Sequence, residues 1–335
     1  MLKFKTTNIL RYICLICTAC MLFSLVSCNN GEDEKETELE KYYTISFNTN
    51  GGSKVESIKV RENKYATRPE DPTLDNYVFR RWEREGREWH FESKAVTENM
   101  TLNALWVSAV ELFELVPDEA TGGLMIGGFK KQASFNTLKM PSTINGKTVV
   151  GIADKAFSNI HTDHANTLVI PESVVWFGDE ALANSSEVNI EIKGILTHIG
   201  ESCFQYCKLI EKVDLGKGIE KIPFMAFFHC ESLKTINLPE GTLSIEENAF
   251  EGCSAMKTIV LPSTLTTIQD SAFANCNSLV SVFFGGSEEQ FDAIEIADSN
   301  DAIIDANIYF YSEAQPTEEG NFWHYEDGTP IIWNN

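Results

Sequence analysis

From residue 42 onward, apolar and polar residues alternate along short segments, which is the period of a strand with one buried face. In "YYTISF" every second residue is apolar, and "NTNGG" follows as a turn that favours positive φ. A second alternating run, Val55 to Val60, completes a predicted hairpin. Farther on, "YVFRRW" and "TLNALW" supply two more strand-like segments, the last ending at Trp106. We therefore predict a small β-domain over residues 42–107.

Four landmarks of this segment, "SFNTNGG", "RPEDP", "NYVFRRW" and "TLNALW", resemble the Listeria-Bacteroides repeat, also called the internalin-type B repeat. The resemblance implies a mostly β, grasp-like module that serves as a spacer or weak binding unit on bacterial surface proteins. The chain departs from the family at two places where glycine is usual, because Asn76 and Arg81 stand there. The aromatic residues are retained, and we expect them to form the core.

A repeat of 23 residues fills the middle of the chain. Its regular units align without a gap and begin at Ile199, Ile222, Ile245 and Ile268. Counting from that first residue as position 0, the units share a small residue at position 4, phenylalanine at 5, cysteine at 8 and aliphatic residues near 11, 14 and 16. Less regular units begin at Ile152 and Phe177, and the half-repeat "LKMPSTINGKTVV" precedes them.

One such unit cannot bury its apolar side alone, whereas stacked units form a continuous core in which each contacts only its neighbours. Aliphatic residues two apart, such as Ile236 and Leu238, predict a short strand in each unit, and the "AF" segment predicts a tight, partly helical turn. The predicted fold class is mainly β: a small β-grasp-like domain followed by a repeat solenoid with short helical turns.

The pattern "I…AF..C..L..I.LP" resembles the BspA-like class of leucine-rich repeats over residues 138–285. The segment "YFYSEAQPTEEGNFWHYEDGTPIIW" is similar to the one that closes such arrays. The resemblance implies a β-lined solenoid on surface or secreted proteins, associated with adhesion and protein recognition. We divide this part into an N-terminal cap with the half-repeat (108–149), the repeats (150–285) and a closing segment (286–335).

The N-terminus has the features of a targeting signal, in which three basic residues precede an apolar run too short for a comfortable membrane span. The run ends in "LVSC", which resembles the lipobox of bacterial lipoproteins. That resemblance implies that residues 1–27 are a lipoprotein signal peptide and that Cys28 becomes lipidated. The alternative is an ordinary secretory signal with a chance cysteine. Residues 28–41 form an acidic tether.

The acidic balance limits the partners and the location. The formal net charge is −22, so the surface repels nucleic acid and anionic membrane, and a basic protein ligand, or merely good solubility, fits better. Membrane attachment would come through the lipid on Cys28. An acidic tether after such a cysteine also resembles the surface-export signal of Bacteroidetes-type lipoproteins. This implies the outer membrane or cell surface, facing outward, with the periplasmic face as the alternative.

An odd number of cysteines lies beyond the signal and tether, so complete internal pairing is impossible: Cys203, Cys207, Cys230, Cys253 and Cys276. The last four share position 8, which stacking places in one column, and Cys203 occupies the alanine position 4. We expect both to be buried packing positions, with disulfides between neighbouring units as the alternative. Replacing Cys207 with serine should then lower stability through a buried hydroxyl.

Other candidate chemistry is sparse. "HTDH" brings His161, Asp163 and His164 together, either as an exposed polar loop, which we favour, or as a metal pocket. His229 beside Cys230 suggests a thiol and imidazole pair, but adjacent side chains generally point apart. The sequence has no Gly-rich phosphate loop, no serine-hydrolase elbow and no HExxH. We therefore predict neither an enzyme nor a cofactor or metal site.

Function is expected on the surface of the solenoid, where the residues between the buried aliphatics of each strand should face outward: Lys212, Asp214, Thr235, Asn237, Thr258, Val260, Ser281 and Phe283. Two of these are apolar, Val260 and Phe283. They form a recognition patch or are covered by the closing segment, and we favour covering because the end of an array must hide its apolar face. The covering side chains would be Phe322, Trp323, Tyr325 and Trp333.

Three functions remain. The first is a lipid-anchored, adhesin-like surface protein whose solenoid recognises a protein, such as host matrix or another cell's surface; this ligand class comes from the family resemblance. The second is a glycan-binding accessory lipoprotein, which needs an exposed aromatic platform built from Trp82, Trp89, Trp323 or Trp333. The third is a structural scaffold without a soluble ligand.

Overall fold

The computed structural model describes residues 40–131, 134–317 and 319–333. The predicted signal peptide, Cys28 and the tether up to residue 39 lie outside these residues. The described residues from Lys41 onward form one compact unit. No helix in the described part of the chain is long and apolar enough to cross a membrane.

The N-terminal domain is a five-stranded sheet with the order β2-β1-β5-β3-β4. Its strands are β1 (Tyr42–Asn48), β2 (Ile58–Arg61), β3 (Tyr77–Arg84), β4 (Arg87–Glu88) and β5 (Met100–Ser108). β1 and β5 run parallel, and the other pairs are antiparallel. The hairpin forms as predicted and its turn holds Asn50 and Gly51 at φ of 50° and 97°. Its second strand, however, begins at Ile58 rather than Val55.

Asn76 occupies one of the positions where the resemblance calls for glycine. Its φ is 69°, a left-handed conformation that glycine and asparagine adopt most readily. Its backbone carbonyl accepts a 2.8 Å hydrogen bond from the N–H of Ala109. Its side-chain oxygen accepts another from the N–H of Asn145. The substitution therefore preserves the backbone conformation and adds a link to the half-repeat.

The N-terminal domain packs directly against the solenoid. Val78 of β3 is fully buried in the same hydrophobic cluster as Leu112 and Leu138, which belong to the first part of the solenoid. Lys139 donates a hydrogen bond to the backbone oxygen of Asp71 at 3.4 Å. The domain thus covers the N-terminal end of the array instead of standing apart from it as a spacer.

The solenoid begins with a cap made of a one-turn helix and a hairpin: α1 (Ala109–Leu112), β6 (Phe113–Pro117) and β7 (Leu124–Phe129). The half-repeat follows as β8 (Phe135–Lys139), β9 (Thr143–Ile144) and β10 (Lys147–Ile152). β6 and β7 are antiparallel, whereas β7 and β10 are parallel. The change from hairpin to parallel pairing marks the start of the stacked turns.

The remaining strands, in chain order, are β11 (Ala165–Ile170), β12 (Trp176–Phe177), β13 (Asn189–Ile192), β14 (His198–Ile199), β15 (Lys221–Ile222), β16 (Thr235–Asn237), β17 (Ser244–Ile245), β18 (Thr258–Leu261), β19 (Thr267–Ile268), β20 (Ser281–Phe284), β21 (Glu295–Ile296), β22 (Asn307–Tyr311), β23 (Phe322–Glu326) and β24 (Thr329–Ile332). Two further short helices are α2 (Glu288–Asp292) and α3 (Asp301–Ile304). The longer strands form one side of the solenoid, in sheets β8-β11-β13 and β16-β18-β20-β22-β23-β24. The two-residue strands form another side, so the predicted mainly β solenoid is confirmed.

Two residues of every turn adopt a left-handed conformation. At position 3 they are Lys155, Glu180, Ser202, Met225, Asn248 and Ser271; at position 7 they are Asn159, Asn184, Tyr206, His229, Gly252 and Asn275. At Gly252, space adds a second requirement, because a Cβ there would lie 2.5 Å from Nδ1 of His229 in the preceding turn. These conformations let a 23-residue unit turn tightly twice around its "AF" segment.

The phenylalanines at position 5 form a buried stack. Successive ring centroids of Phe204, Phe227, Phe250 and Phe273 lie 5.2, 5.2 and 5.3 Å apart, with planes within 16° of parallel. Backbone hydrogen bonds follow the same direction, since the N–H of Phe227 donates to the carbonyl of Ala249 at 2.8 Å. Apolar and hydrogen-bonding contacts thus join each turn to the next.

The cysteines at position 8 form a ladder of hydrogen bonds. The thiols of Cys207, Cys230, Cys253 and Cys276 donate to position-5 carbonyls of the preceding turns, at Sγ···O distances of 3.1 to 3.2 Å. Ser185 does the same with its hydroxyl, at 3.1 Å from the carbonyl oxygen of Phe157. All five cysteines of the described chain are free and buried. In these five turns position 8 holds a small side chain that also donates a hydrogen bond, whereas Ile160 fills the same position in the first unit.

Burial makes these thiols poor nucleophiles. It raises the pKa of Cys207 and of Cys276 to about 12, and the pKa of Cys203, Cys230 and Cys253 also lies well above the usual value. The thiolate is the reactive form, so these cysteines act in packing and hydrogen bonding.

The array continues past residue 285, where the sequence pattern ends. β21 pairs with β19, β22 pairs with β20, and Ser299 repeats the left-handed conformation of position 3 with φ of 63°. Asn300 then occupies position 4, 1% exposed. Its Oδ1 accepts from the N–H of Phe273 at 3.0 Å, and its Nδ2 donates to the carbonyl of Gln269 at 2.9 Å. In a regular turn the position-5 N–H donates to a position-4 backbone carbonyl, as Phe227 does to Ala249. At the last turn the side-chain oxygen of Asn300 replaces that carbonyl as the acceptor.

We predict that Asn300→Leu lowers the free energy of unfolding by about 3 kcal/mol, because it leaves the buried N–H of Phe273 and carbonyl of Gln269 without this partner. Urea denaturation followed by circular dichroism measures the loss. Asn277→Leu, the same substitution at an exposed asparagine nearby, is the control and should change stability by less than about 0.5 kcal/mol. Equal effects of the two variants would contradict the assigned role of Asn300.

We also predict that stability falls as the pH rises above about 9, because the unfolded chain then loses thiol protons that the folded chain keeps. Each buried thiol lowers the free energy of unfolding by about 1.4 kcal/mol for every pH unit above this point.

The hydrogen bonds of position 8 change the expected effect of Cys207→Ser. Its hydroxyl can donate to the carbonyl of Leu182 as Ser185 does to Phe157, so the loss at pH 7 should be within about 1 kcal/mol.

Urea denaturation of the parent and Cys207→Ser at several pH values tests this linkage. Between pH 7 and pH 10.5 the variant should lose about 2 kcal/mol less than the parent, since it has one thiol fewer to ionise on unfolding. Lysines and tyrosines titrate in both proteins and cancel in the comparison. Parallel pH curves would show that Cys207 ionises as easily in the folded chain as in the unfolded one.

Candidate functional site

The outward side of the longer strands, which we call the open face, carries two columns of residues in register. The first column is polar: Thr137, Thr167, Asn189, Thr235, Thr258, Ser281 and Asn307. The second column changes character along the solenoid: Lys139, Val169, Glu191, Asn237, Val260, Phe283 and Tyr309. The face therefore runs from charged residues beside the N-terminal domain to aromatic residues at the far end.

Six of the predicted surface residues lie on the accessible part of this face. Lys212, Asp214 and Asn237 are exposed, and Thr235, Thr258 and Ser281 are half-buried. Lys212 and Asp214 lie between the two long-strand sheets, in a turn without a long strand of its own, and form an ion pair at 2.9 Å. Thr258 donates a hydrogen bond to the Thr235 hydroxyl at 3.0 Å.

Val260 and Phe283 are buried and do not face outward, which corrects their inclusion among the predicted surface residues and agrees with the favoured alternative that the closing segment covers them. They are 3% and 5% exposed and form a separate hydrophobic cluster with Trp323. The reason is that β23 extends the sheet beyond β22 and brings Trp323 over them. Its indole Nε1 donates to the carbonyl of Phe284 at 2.8 Å, which fixes the ring in place.

The cover creates a cleft that the sequence did not predict. We call it the aromatic cleft, with a volume of about 310 Å³ and defined by Asn237, Glu240, Tyr311, Trp323 and Tyr325. The tyrosines are 40% and 47% exposed. Burial, followed by the nearby negative charge of Glu240, raises the pKa of Tyr325. The alternation in "YFY" and "FWHY" places these aromatic rings on one side of β22 and β23, and that pattern could have revealed them.

A second cleft, of about 490 Å³, lies at the opposite end of the open face, between the N-terminal domain and the first turns of the solenoid. Tyr77 and Trp106 line it from one side, and Lys139 and Lys193 from the other. Lys193 pairs with Glu191 at 2.8 Å, so the charges here are of both signs and partly compensated. A cleft thus lies at each end of the open face.

The tryptophans do not form the exposed platform required by the glycan hypothesis. Trp82 and Trp89 are 1% and 7% exposed in the core of the N-terminal domain, and Trp323 is 1% exposed. Trp333 is half-buried, stacks on His324 at 3.8 Å between centroids and donates to the carbonyl of Ser312 at 3.0 Å. All four of these rings serve packing.

Two of the histidine candidates are used in packing, while His161 is exposed. His164 stacks on Phe129 at 5.7 Å between ring centroids, and its Nδ1 lies 2.9 Å from Asp163. His229 stacks on Tyr206 at 5.2 Å, while the neighbouring thiol of Cys230 donates to a backbone carbonyl. Within the residues described, no group of three or more His, Cys, Asp and Glu side chains is arranged to hold a metal ion.

Several known proteins are similar to parts of this chain. The "Putative membrane protein" of Evansella cellulosilytica is 27% identical over 168 residues, which are 49% of this chain and 24% of that protein. The "Putative Gly-rich membrane protein" of the same organism is 34% identical over 67 residues, or 19% of this chain and 8% of that one. The chain therefore spans a quarter or less of the length of these relatives.

Among solved structures, the leucine-rich repeat protein of T. pallidum is 21% identical with a TM-score of 0.46, covering 56% of this chain and 83% of that one. A leucine-rich cell surface protein from Faecalibacterium prausnitzii is 27% identical with a TM-score of 0.36, covering 53% of this chain and 39% of that one.

The repeats and the N-terminal domain each match a family model. The model of the Listeria-Bacteroides repeat domain matches residues 43–105. The model of the BspA type leucine-rich repeat region matches residues 127–230 and 197–301, which together span just over half of the chain. These matches confirm the resemblances found for the N-terminal domain and for the repeats. The chain belongs to the BspA type leucine-rich repeat family and carries a Listeria-Bacteroides repeat domain before its solenoid.

Proposed function

We propose that this chain is a cell-surface binding protein, adhesin-like and not enzymatic, which recognises protein ligands through the open face of its solenoid. The observation that carries the proposal is the open face itself, where accessible polar and charged side chains stand in register over successive turns. Such an extended surface on a rigid array suits recognition of a macromolecule.

The composition of the face fits a protein partner. Exposed Lys212, Asp214 and Asn237 offer an ion pair and an amide, while the half-buried threonines and serine of the first column have short side chains that let another chain approach closely. Aromatic residues at the far end add the large contact area that dominates the energetics of protein interfaces. The proposed ligands are proteins of the host matrix or of another cell's surface.

The net charge of −22 favours a basic protein over a nucleic acid or an anionic membrane. Attachment to the membrane is proposed through lipidation of Cys28, because "LVSC" directly precedes an acidic tether. The site of display would then be the outer membrane or cell surface, facing outward.

Arrays of matrix proteins and glycans test the proposal, with residues 29–335, which contain the whole compact unit, as the applied protein. The double variant Lys212→Ala and Asp214→Ala removes the ion pair from the open face. We expect its affinity for the captured protein to fall about tenfold, the scale of a moderate interface hot spot.

The control is the double variant Lys208→Ala and Glu231→Ala, which removes another ion pair, half-buried and 2.7 Å long, away from the columns of the open face. Its affinity should match that of the parent. If both pairs can be removed without loss, or if only glycans are captured, the open face is not a reader of proteins. Failure to capture any ligand would favour the scaffold.

A further inference from the structure

The aromatic cleft is bounded by three rings at steep angles to one another. Tyr311 and Tyr325 meet the Trp323 ring at 70° and 76°, with centroids 5.2 and 4.8 Å away. The two tyrosine rings are 6.3 Å apart. Since Trp323 is buried and held by its hydrogen bond to Phe284, it forms a fixed floor between two accessible tyrosines.

A single carboxylate faces these rings. Glu240 is the one charged residue that lines the cleft, and the lining contains no lysine, arginine or histidine among the residues that the structure describes. Its Oε1 and Oε2 accept hydrogen bonds from the N–H and the hydroxyl of Ser263, both at 3.0 Å. These bonds hold the carboxylate in position, and each oxygen keeps a lone pair for a ligand.

The neighbouring glycine makes room for this arrangement. A Cβ at Gly285 would lie 3.0 Å from Glu240 Oε1 and 3.1 Å from the N–H nitrogen of Ser263. A larger residue would crowd both the carboxylate and its serine partner and force one of them to shift. Gly285 therefore leaves room for the hydrogen bond between Glu240 and Ser263.

Electron-rich ring faces beside a carboxylate attract a cation. We infer that the aromatic cleft binds the side chain of an arginine or lysine presented by the protein ligand, with the cationic group over Tyr325 and Tyr311 and ion-paired to Glu240. Arginine fits better than lysine, because its planar guanidinium can stack on a ring and donate to a carboxylate at the same time. The negative charge of the whole chain adds long-range attraction.

A glycan fits the same cleft less well. Sugar hydroxyl groups need several hydrogen-bonding partners around the ring, whereas the remaining lining is largely leucine, valine, proline and glycine. An anionic glycan would also be repelled by Glu240. The cation inference rests on the proposed protein-binding function and adds to it the chemistry of one contact.

The test uses residues 29–335 and two capped tripeptides, acetyl-Gly-Arg-Gly-amide and the same peptide with neutral citrulline. Titrations followed by NMR report on the cleft through the indole N–H of Trp323. We expect the arginine peptide to bind about tenfold more tightly than the citrulline peptide and to weaken as salt is added.

Variants locate the contact. Tyr325→Ala and Glu240→Gln should each lower the affinity for the arginine peptide about tenfold. The matched controls are Tyr65→Ala and Glu220→Gln, which alter an exposed tyrosine of the N-terminal domain and an exposed glutamate outside the cleft. Both controls should bind as the parent does.

Three results would overturn the inference: equal binding of the two peptides, no change of the Trp323 signal with either, or full affinity in Glu240→Gln. A shift caused by neutral maltohexaose, lost in Tyr325→Ala but kept in Glu240→Gln, would identify a glycan site. The array assay separates the two proposals. If the Lys212 and Asp214 variant loses protein binding while the arginine peptide fails, only the cation contact is wrong; if no protein is captured, the proposed function itself fails.

Discussion

Every turn of this solenoid depends on its neighbours, because the hydrogen-bonding groups and apolar rings of a 23-residue unit point along the array. In a regular turn the N–H at position 5 donates to the carbonyl at position 4 of the following turn, and the thiol at position 8 donates to a carbonyl of the preceding turn. A single turn would leave both sets without partners and its phenylalanine exposed. Each turn is therefore stable only within the stack, and the two ends of the stack must satisfy their unpaired groups and cover their apolar surface in other ways.

The two ends of the solenoid are capped in different ways. At the N-terminal end, a separate sheet contributes Val78 to the solenoid core, and a hairpin supplies the first strand for parallel pairing. At the C-terminal end, the Asn300 amide imitates a backbone carbonyl, and the closing strands place Trp323 over the last apolar residues of the open face. The same closing strands form the aromatic cleft, so the cap and the candidate recognition site are one construction.

The period, the strands and the buried cysteine column could be predicted from the sequence, because each signal is local and recurs several times. Asn300 could not, since it occurs once and its role depends on the missing next turn. The hydrogen bonds of position 8 were not predicted, because cysteine resembles a small apolar residue in its packing. Ser185 in the same position is the sequence feature that indicates a hydrogen-bond donor there. The cover over Phe283 could be expected, because the end of an array must hide its apolar face. The acid beside Tyr325 could not, since it depends on pairing between distant strands, which a repeat pattern does not encode.

The left-handed residues, phenylalanines and thiols give the regular turns from Ile199 to Ile268 matching upper and lower surfaces. A further turn inserted among them would meet compatible neighbours on both sides, and a removed turn would leave compatible neighbours behind. Gene duplication or loss of one unit could then change the reach of the open face in steps of about 4.8 Å, the spacing of adjacent strands. The rings of the cleft belong to the closing strands and would stay at the tip, whereas Glu240 lies in a regular turn, so a turn inserted after it would separate the acid from the rings.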